Sequence, residues 1–285
     1  MPAPLYLVPN TLDLGEAPEH QSDIRDVLPD GVLRQAAALT HWLAEDAKTT
    51  RAFLKRVAAV HPLALPLQQI HIQELPRSTK GSTRGGDAQP VIARPTGPRQ
   101  SPPPPTSLHP LLTPAQQGTP LGLISEAGLP GVADPGADIV AAAHALHIPV
   151  VALSGPSSIT LAVAASGLQG QSFAFVGYLP QDAAARTARI RALEVLSRQH
   201  QQTQLMIETP YRNAALVQAL VNTLSPTTRL SISCGLTLPH GWTRTLTVAQ
   251  WRQQQLPSSG PSHAADTSSS AQWPDKVPTV FALLA

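Results

Sequence analysis

The stretch Leu121–Gly167, LGLISEAGLPGVADPGADIVAAAHALHIPVVALSGPSSITLAVAASG, decides the fold of this chain. It alternates short apolar runs, which predict strands, with loops of small residues and with stretches of about ten residues that predict helices. This alternation indicates a parallel sheet with crossover helices. Ligands bind beyond the carboxyl ends of such strands. The two glycine-containing loops, at residues 125–136 and 154–156, are therefore the predicted site.

Further strands and helices are predicted on both sides of this stretch. Apolar or alternating runs predict strands at residues 5–8, 41–44, 69–75, 173–176, 204–207, 229–234, 243–248 and 279–284. Helical periodicity and N-terminal signals predict helices at residues 30–38, 46–57, 111–117 and 182–198. Residues 16–29 are predicted to be irregular up to that first helix.

Composition limits the class of protein. Charged residues make up 13% of the 285 residues and the net charge is only +2, too weak by itself to indicate nucleic-acid binding. One cysteine excludes an internal disulfide, and no zinc spacing, Walker loop, GxSxG, HExxH or GxGxxG is present. We therefore expect no metal, and a nicotinamide oxidoreductase is disfavoured. No targeting segment or membrane span is apparent, which predicts a cytoplasmic protein without membrane association.

Two stretches interrupt the pattern of strands and helices. Residues 77–110 and 255–276 are rich in proline, serine and other polar residues and have almost no apolar periodicity. Such composition cannot bury enough apolar surface to offset the entropy lost on ordering. We predict that both are insertions in otherwise folded domains, and that the first, residues 77–110, is disordered or an extended polyproline segment.

Carboxylates follow the second predicted strand directly. Glu45 and Asp46 stand where that strand ends and the next helix begins. A carboxylate at a helix N-terminus stabilises the helix by about 0.3–1 kcal/mol, which is one interpretation of the pair. The other is that one of them accepts a hydrogen bond from a substrate hydroxyl. By contrast, Lys48, Arg51, Lys55 and Arg56 are predicted to form mostly a solvated helix face, with contact to an anionic substrate as the alternative.

Six motifs in order carry a resemblance to a known family. They are LYLVPNTLDLG, AEDAKTTRAFLKRV, LISEAGLPGVADPGADIV, LSGPSSITLAVAASGL, FAFVGYLP and IETPYRN. Together they resemble the tetrapyrrole (corrin/porphyrin) methylase superfamily, and within it the subfamily that contains the ribosomal small-subunit RNA ribose 2′-O-methyltransferase. The resemblance covers most of the chain outside the two insertions.

The resemblance implies an α/β fold of two domains and a cofactor. The N-terminal domain (residues 1–153) would hold a parallel sheet and the C-terminal domain (residues 157–285) a mixed sheet, with S-adenosyl-L-methionine in the cleft between them and two copies forming a homodimer. By similarity, the cofactor-binding residues are Pro9, Ser125, Glu126, Ala127, Val132, Ala133, Asp134, Ser157, Ser158, Leu236 and Thr237.

The methyl acceptor is left open by departures from the family pattern. Where RNA-methylating relatives read VPTPIGNL, SDAG and YES-HR, this chain has VPNTLDLG, SEAG and IETPYR. The acceptor is thus RNA, a tetrapyrrole or another small molecule, or the chain is a degenerate module that only binds S-adenosylmethionine. A ribose hydroxyl would need a general base, for which the candidates are Glu45, Asp46, Glu126 and Glu208. Arg186 and Arg212 are the candidates for binding the phosphates of an RNA acceptor.

Overall fold

The structure of this protein, a computed structural model, describes residues 1–13, 16, 21–76, 106–254 and 277–285. The described residues fall into two compact units. The first holds those up to Ser157 together with Thr237–Pro239, and the second holds Ser158–Leu236 and those from His240 onward. The boundary predicted between residues 153 and 157 concerns independently folding domains, and it stays a prediction.

An all-parallel sheet of five strands forms the first unit, in the order β3-β2-β4-β1-β5. The strands are β1 (Leu5–Leu7), β2 (His41–Ala44), β3 (His71–Glu74), β4 (Leu121–Ile124) and β5 (Val150–Ala152). The α-helices are α1 (Ile24–Val27), α2 (Asp30–Ala38), α3 (Ala47–Ala58), α4 (Thr113–Gln116) and α5 (Ala137–Ala145), with short 3-10 helices at Leu67–Gln69 and Thr106–Leu112. The parallel sheet predicted from Leu121–Gly167 is confirmed.

Helices cover both faces of this sheet, because its central strands are apolar on both sides. Trp42 of β2 packs into one core with Phe53 and Leu54 of α3, whereas its neighbour Leu43 packs into the other core with Leu123 of β4. Gly122 is the register partner of Trp42, and a Cβ at Gly122 would lie only 2.7 Å from the indole ring. The glycine in β4 therefore makes room for the buried tryptophan.

The second unit is built on a mixed sheet of five strands in the order β6-β7-β10-β8-β9. The strands are β6 (Phe173–Tyr178), β7 (Thr203–Glu208), β8 (Arg229–Cys234), β9 (Trp242–Thr247) and β10 (Thr279–Leu284). The helices are α6 (Ser158–Ser166), α7 (Ala183–His200), α8 (Asn213–Thr223) and α9 (Val248–Gln253), with a 3-10 turn at Pro210–Arg212. Only β6 and β7 pair in parallel, so the predicted mixed sheet is confirmed.

Three local predictions were wrong. Residues 16–29 are not irregular throughout, because Asp23 caps the short helix α1 and Ile24 is buried beneath it. The predicted insertion at residues 77–110 ends too late, since a 3-10 helix begins at Thr106; residues 77–105 and 255–276 lie outside the described part of the chain. The strand predicted at residues 243–248 ends one residue earlier, at Thr247, because Thr247 forms a capping box with Gln250 that starts α9.

Among the described residues, none of the helices is both long enough and apolar enough to cross a membrane.

Candidate functional site

The predicted site lies at the carboxyl edge of the parallel sheet. The loops that leave β1, β2, β4 and β5 all begin at this edge, because the four strands run in the same direction. They bring together Pro9 and Asn10, Glu45, the Ser125–Gly136 segment, and the Ser154–Ser157 segment. Most of the residues predicted to bind the cofactor are on these loops.

Asn10 links the loop after β1, called the first loop below, to the loop after β4, called the third loop. Its backbone pairs with Gly128 in both directions, with N···O distances of 2.8 and 3.2 Å. Its side-chain Nδ2 donates to the carbonyl oxygens of Glu126 (2.9 Å) and Ser125 (3.3 Å). Asn10 is only 6% exposed, so these bonds form away from solvent. The backbone and the side-chain amide of Asn10 thereby fix the residues around Glu126 to the loop after β1.

The loop after β4 bends sharply at its small residues. Gly128, Gly131 and Gly136 have φ of 70°, 80° and 135°, and Ala133 has φ of 66° although it carries a Cβ. A positive φ in a non-glycine residue is uncommon and marks local strain, which clusters at functional sites. The Gly131 amide donates to the Pro135 carbonyl at 3.1 Å and closes the turn that contains Ala133 and Asp134.

Three carboxylates share this edge, and the pKa values of two of them, Glu126 and Asp134, are raised. Glu45 accepts a hydrogen bond from the Glu126 backbone N–H at 3.1 Å. Burial, with the nearby charges of Glu45 and Asp46, raises the pKa of Glu126. Burial raises the pKa of Asp134 to about 7, with Glu45 and Glu126 adding to the rise and a hydrogen bond from Ser125 opposing it. The edge thus concentrates negative charge that a cation would stabilise.

Asp46 serves as the N-cap of α3, as the capping interpretation predicts. Its carboxylate accepts a hydrogen bond from the Thr49 N–H at 2.7 Å, and this bond is the main cause of its lowered pKa. The Asp46 carboxylate is therefore already hydrogen-bonded to the first turn of α3. This makes Asp46 the weaker candidate of the Glu45–Asp46 pair for a general base.

We predict that Asp46→Ala lowers the free energy of unfolding by about 1 kcal/mol at neutral pH, the usual value of an N-cap. A carboxylate whose folded-state pKa is depressed stabilises above its unfolded pKa and loses that contribution as pH falls through the folded one. The difference from wild type, measured by urea unfolding, should therefore be full at neutral pH and shrink below pH 3.8. Asp46→Asn, which keeps a capping side chain, is the control, and its free energy of unfolding should stay near that of wild type both at neutral pH and below pH 3.8.

An open pocket adjoins these loops within the first unit. It is lined by Asn10, Thr11, Asp13, Gln21, Thr49, Ala52, Phe53, Arg56 and Glu126. Arg56 pairs there with Asp13, at an N···O distance of 3.0 Å, and its side chain is 23% exposed against 5% for Asp13. The prediction that Arg56 belongs to a solvated helix face was therefore wrong, because its guanidinium turns inward onto the first loop.

The loop after β5 packs closely against the first loop. A Cβ at Gly155 would lie 2.3 Å from the Cβ of Pro9, closer than any side chain tolerates. Ser157, the last residue of this loop, is 5% exposed. Only glycine at position 155 allows the two loops to meet in this way.

The remaining predicted residues belong to the second unit, except Thr237, which belongs to the first. Glu208, at the end of β7, accepts hydrogen bonds from Arg212 Nη2 (2.6 Å) and the Thr209 N–H (2.8 Å), so this carboxylate is already paired. Arg186 lies in the first turn of α7. Ser158 begins α6, Leu236 follows β8, and Thr237 has φ of 71°.

Two arginines of the second unit have a buried side-chain N–H that no described residue accepts. The Nε atoms of Arg186 and Arg212 are buried and have no hydrogen-bond partner among the described residues. A buried donor without a partner is costly, and an anionic ligand would satisfy it.

Sequence reasoning missed Asn10 and the Arg56–Asp13 pair as parts of this site. Both contribute through contacts with distant parts of the chain, which a local pattern does not reveal. One signal was available in the sequence, since polar residues directly after a buried parallel strand lie at the ligand-binding edge. No group of three or more His, Cys, Asp or Glu side chains placed to hold a metal ion occurs among the described residues.

Comparison with known proteins supports the resemblance drawn from the motifs. No family model matches the chain. Proteins named ribosomal RNA small subunit methyltransferase I match it in part: that of Micromonospora olivasterospora is 38% identical over 109 residues, covering 38% of this chain and 34% of its own length. That of Synechocystis is 32% identical over 141 residues, or 49% of each chain, and that of Mesorhizobium japonicum 36% over 127 residues, or 45% of this chain and 42% of its own.

These matches confirm the resemblance to the RNA-methylating subfamily, although the chain spans only about a third to a half of the length of these relatives. Among solved structures, the methyltransferase CobJ is similar with a TM-score of 0.50 and 14% identity, covering 98% of this chain and 93% of its own. At that identity the similarity establishes the fold. Uroporphyrin-III-C-methyltransferase of Thermus thermophilus covers 99% of this chain with a TM-score of 0.43.

Proposed function

We propose that this protein is an S-adenosylmethionine-dependent methyltransferase that modifies a ribose 2′-hydroxyl of small-subunit ribosomal RNA. The observation that carries the proposal is the match to relatives named for ribosomal RNA methylation, which coincides with a strained, carboxylate-rich loop at the carboxyl edge of a parallel sheet. Cytoplasmic location and homodimer formation are part of the proposal.

The residues at this edge fit the chemistry of the cofactor. S-adenosylmethionine carries two cationic groups, the sulfonium and the amino group, and supplies an electrophilic methyl group. Asp134 and Glu126 provide the opposite charge, and burial together with neighbouring carboxylates raises the pKa of both in the free protein. The backbone of Ser125–Ala127 and Val132–Asp134, with Pro9 and Ser157, supplies small surfaces and amides for the rest. Ser158, Leu236 and Thr237 remain proposed contacts by similarity.

Glu126 is the proposed general base. A ribose hydroxyl is weakly acidic, so it would have to lose its proton as its oxygen bonds to the methyl carbon, while the bond from that carbon to sulfur breaks and leaves a neutral thioether. The raised pKa of Glu126 makes its carboxylate a better proton acceptor than an ordinary glutamate, and its backbone N–H is anchored on Glu45. Asp46 and Glu208 are less suited, because Asp46 caps α3 and Glu208 is paired with Arg212.

Arg186 and Arg212 are the proposed phosphate-binding residues. Each carries a buried Nε–H that has no partner among the described residues. An RNA phosphate accepts such donors strongly, and contacts of this kind position the acceptor without reading its sequence.

The test is transfer of a radiolabelled methyl group from S-adenosylmethionine to 30S subunits from a strain that lacks this protein, with calorimetric titration of the cofactor alongside. We expect the label in RNA on a ribose, and we expect Glu126→Gln to abolish transfer while weakening cofactor binding only a few-fold. Glu208→Gln, whose carboxylate is already paired, should keep measurable transfer. Binding without transfer to RNA, protein or metabolite extract would instead identify a degenerate binding module.

A further inference from the structure

A single guanidinium holds the first loop in place. Arg56 donates from Nη1 to Thr11 Oγ1 (3.0 Å) and Asp13 Oδ1 (3.1 Å), and from Nη2 to Asp13 Oδ2 (3.0 Å) and the Ser22 carbonyl (2.8 Å). The Thr11 hydroxyl in turn donates to Asp13. Thr11 and Asp13 are 3% and 4% exposed, so the loop has a buried ionic anchor on α3.

The hydrogen bonds continue from this anchor to the proposed cofactor loop. The Thr11 N–H donates to Asn10 Oδ1 at 2.9 Å, which orients the amide so that Nδ2 faces the Ser125 and Glu126 carbonyls. Arg56 therefore reaches Glu126 through Thr11 and Asn10, in an unbroken series of contacts. Buried networks of this kind fix one arrangement of their members.

We infer that Arg56 is a positioning residue: through Thr11 and Asn10 it sets the conformation of the Ser125–Gly128 turn, and so the affinity for S-adenosylmethionine. The inference rests on the proposed function, because it assigns Arg56 a role toward that cofactor. Arg56 needs no contact with the cofactor to act in this way. Lysine cannot replace it fully, because only the planar fork of arginine makes four hydrogen bonds to three residues at once.

A purely structural role has to be separated from a positioning role. Removing Arg56 alone would leave Asp13 buried and unpaired, which destabilises any protein. The informative variant is therefore Arg56→Met combined with Asp13→Asn, in which no buried charge is left over. The matched control is Arg252→Met: Arg252 belongs to the second unit, and its side chain donates there to the carbonyls of Val221 (3.0 Å) and Leu224 (2.9 Å).

The experiment has two readouts on the full chain, both at a temperature where each variant is folded. Calorimetry with S-adenosylmethionine should show affinity lower by about tenfold in Arg56→Met/Asp13→Asn, the scale of coupling within one network, and an intermediate loss in Arg56→Lys. Amide hydrogen exchange of the ligand-free protein should speed up at residues 125–128 in the double variant. Arg252→Met should lower the melting temperature but leave affinity and exchange at these residues unchanged.

Asn10→Ala tests the route of the effect. As a single substitution it should weaken cofactor binding. Added to Arg56→Met/Asp13→Asn, it should cause no further loss of affinity. Additive losses would contradict action through Asn10, and wild-type affinity with wild-type exchange in the double variant would overturn the inference. If the wild-type protein binds no cofactor, the proposed function fails, while the exchange comparison still decides whether Arg56 holds the turn.

Discussion

Gly155→Ala is expected to lower the melting temperature by about 2–12 °C and to weaken binding of the proposed cofactor. The new Cβ would lie 2.3 Å from Pro9 Cβ and 2.4 Å from Pro9 Cγ, so one of the two loops must move. Overpacking of this kind costs about 1–3 kcal/mol, and each kcal/mol shifts the melting temperature of a chain of roughly this size by about 2–4 °C. Differential scanning calorimetry with and without S-adenosylmethionine measures both effects.

Gly31→Ala is the matched control for this variant. Gly31 lies in α2, and a Cβ there would meet nothing within 4 Å. Alanine favours a helix over glycine by about 1 kcal/mol, so this variant should melt at or slightly above the wild-type temperature. The φ of Gly155 is not in the positive range, so its substitution acts by contact alone. If Gly155→Ala melts as high as Gly31→Ala, the close packing of the two loops is wrong.

The sheet of the first unit was predictable because its signals are local. Short apolar runs separated by helical stretches gave β2 and β4 their full extent, and parallel pairing follows from the crossover helices between them. The position proposed for the site rests on the same pattern, because parallel strands present their carboxyl ends at one edge. What the motifs added, through resemblance, was the cofactor.

The contacts that shape the site were not predictable, because they join residues far apart in the chain. Asn10 meets the carbonyls of Ser125 and Glu126 across more than a hundred residues, and Arg56 meets Asp13 across 43. Helical periodicity places Arg56 among other basic residues of α3, but it says nothing about a carboxylate on another loop. Beyond Pro9 the first loop also departs from the family pattern, so similarity gave no guide to Asn10 or Asp13.

The choice between Glu45 and Asp46 shows the same limit at short range. Both follow β2, and either could cap α3 on sequence alone. In the structure Asp46 caps α3 by accepting a hydrogen bond from the Thr49 N–H. Glu45 instead accepts one from the Glu126 N–H, 81 residues away. Which carboxylate faces the site thus depends on the third loop, whose path is set by positive φ at Gly128 and Gly131.

Binding of S-adenosylmethionine is expected to tighten as pH rises through about 7, because of Asp134. Burial, Glu45 and Glu126 raise the pKa of this carboxyl to about 7, so it is largely protonated in the free protein below that pH. A cation favours the ionised form, so binding should release a proton at pH 6. Calorimetry at pH 6 in two buffers with different ionisation enthalpies measures that release.

Asp134→Asn should remove both the proton release and the pH dependence. At pH 8 it should weaken binding by about tenfold, since one unit charge near a cation contributes roughly 1.4 kcal/mol in a partly buried site. At pH 5.5 the two proteins should bind almost equally, because the wild-type carboxyl is then neutral. Asp138→Asn, an exposed change in the first turn of α5, is the control and should keep the wild-type profile.

The stability of the ligand-free protein should depend on pH in the opposite sense to cofactor binding, because Asp134 stabilises the fold at low pH and not at high pH. A carboxyl whose folded-state pKa is raised holds its proton more tightly when folded, so its contribution is complete below the unfolded pKa of 3.8 and is lost as pH rises towards about 7. Asp134→Asn should therefore be more stable than wild type at pH 8 although it binds the cofactor less well. Equal stability of the two proteins at pH 8, or unchanged affinity, would show that Asp134 does not sit among the carboxylates of Glu45 and Glu126 as described.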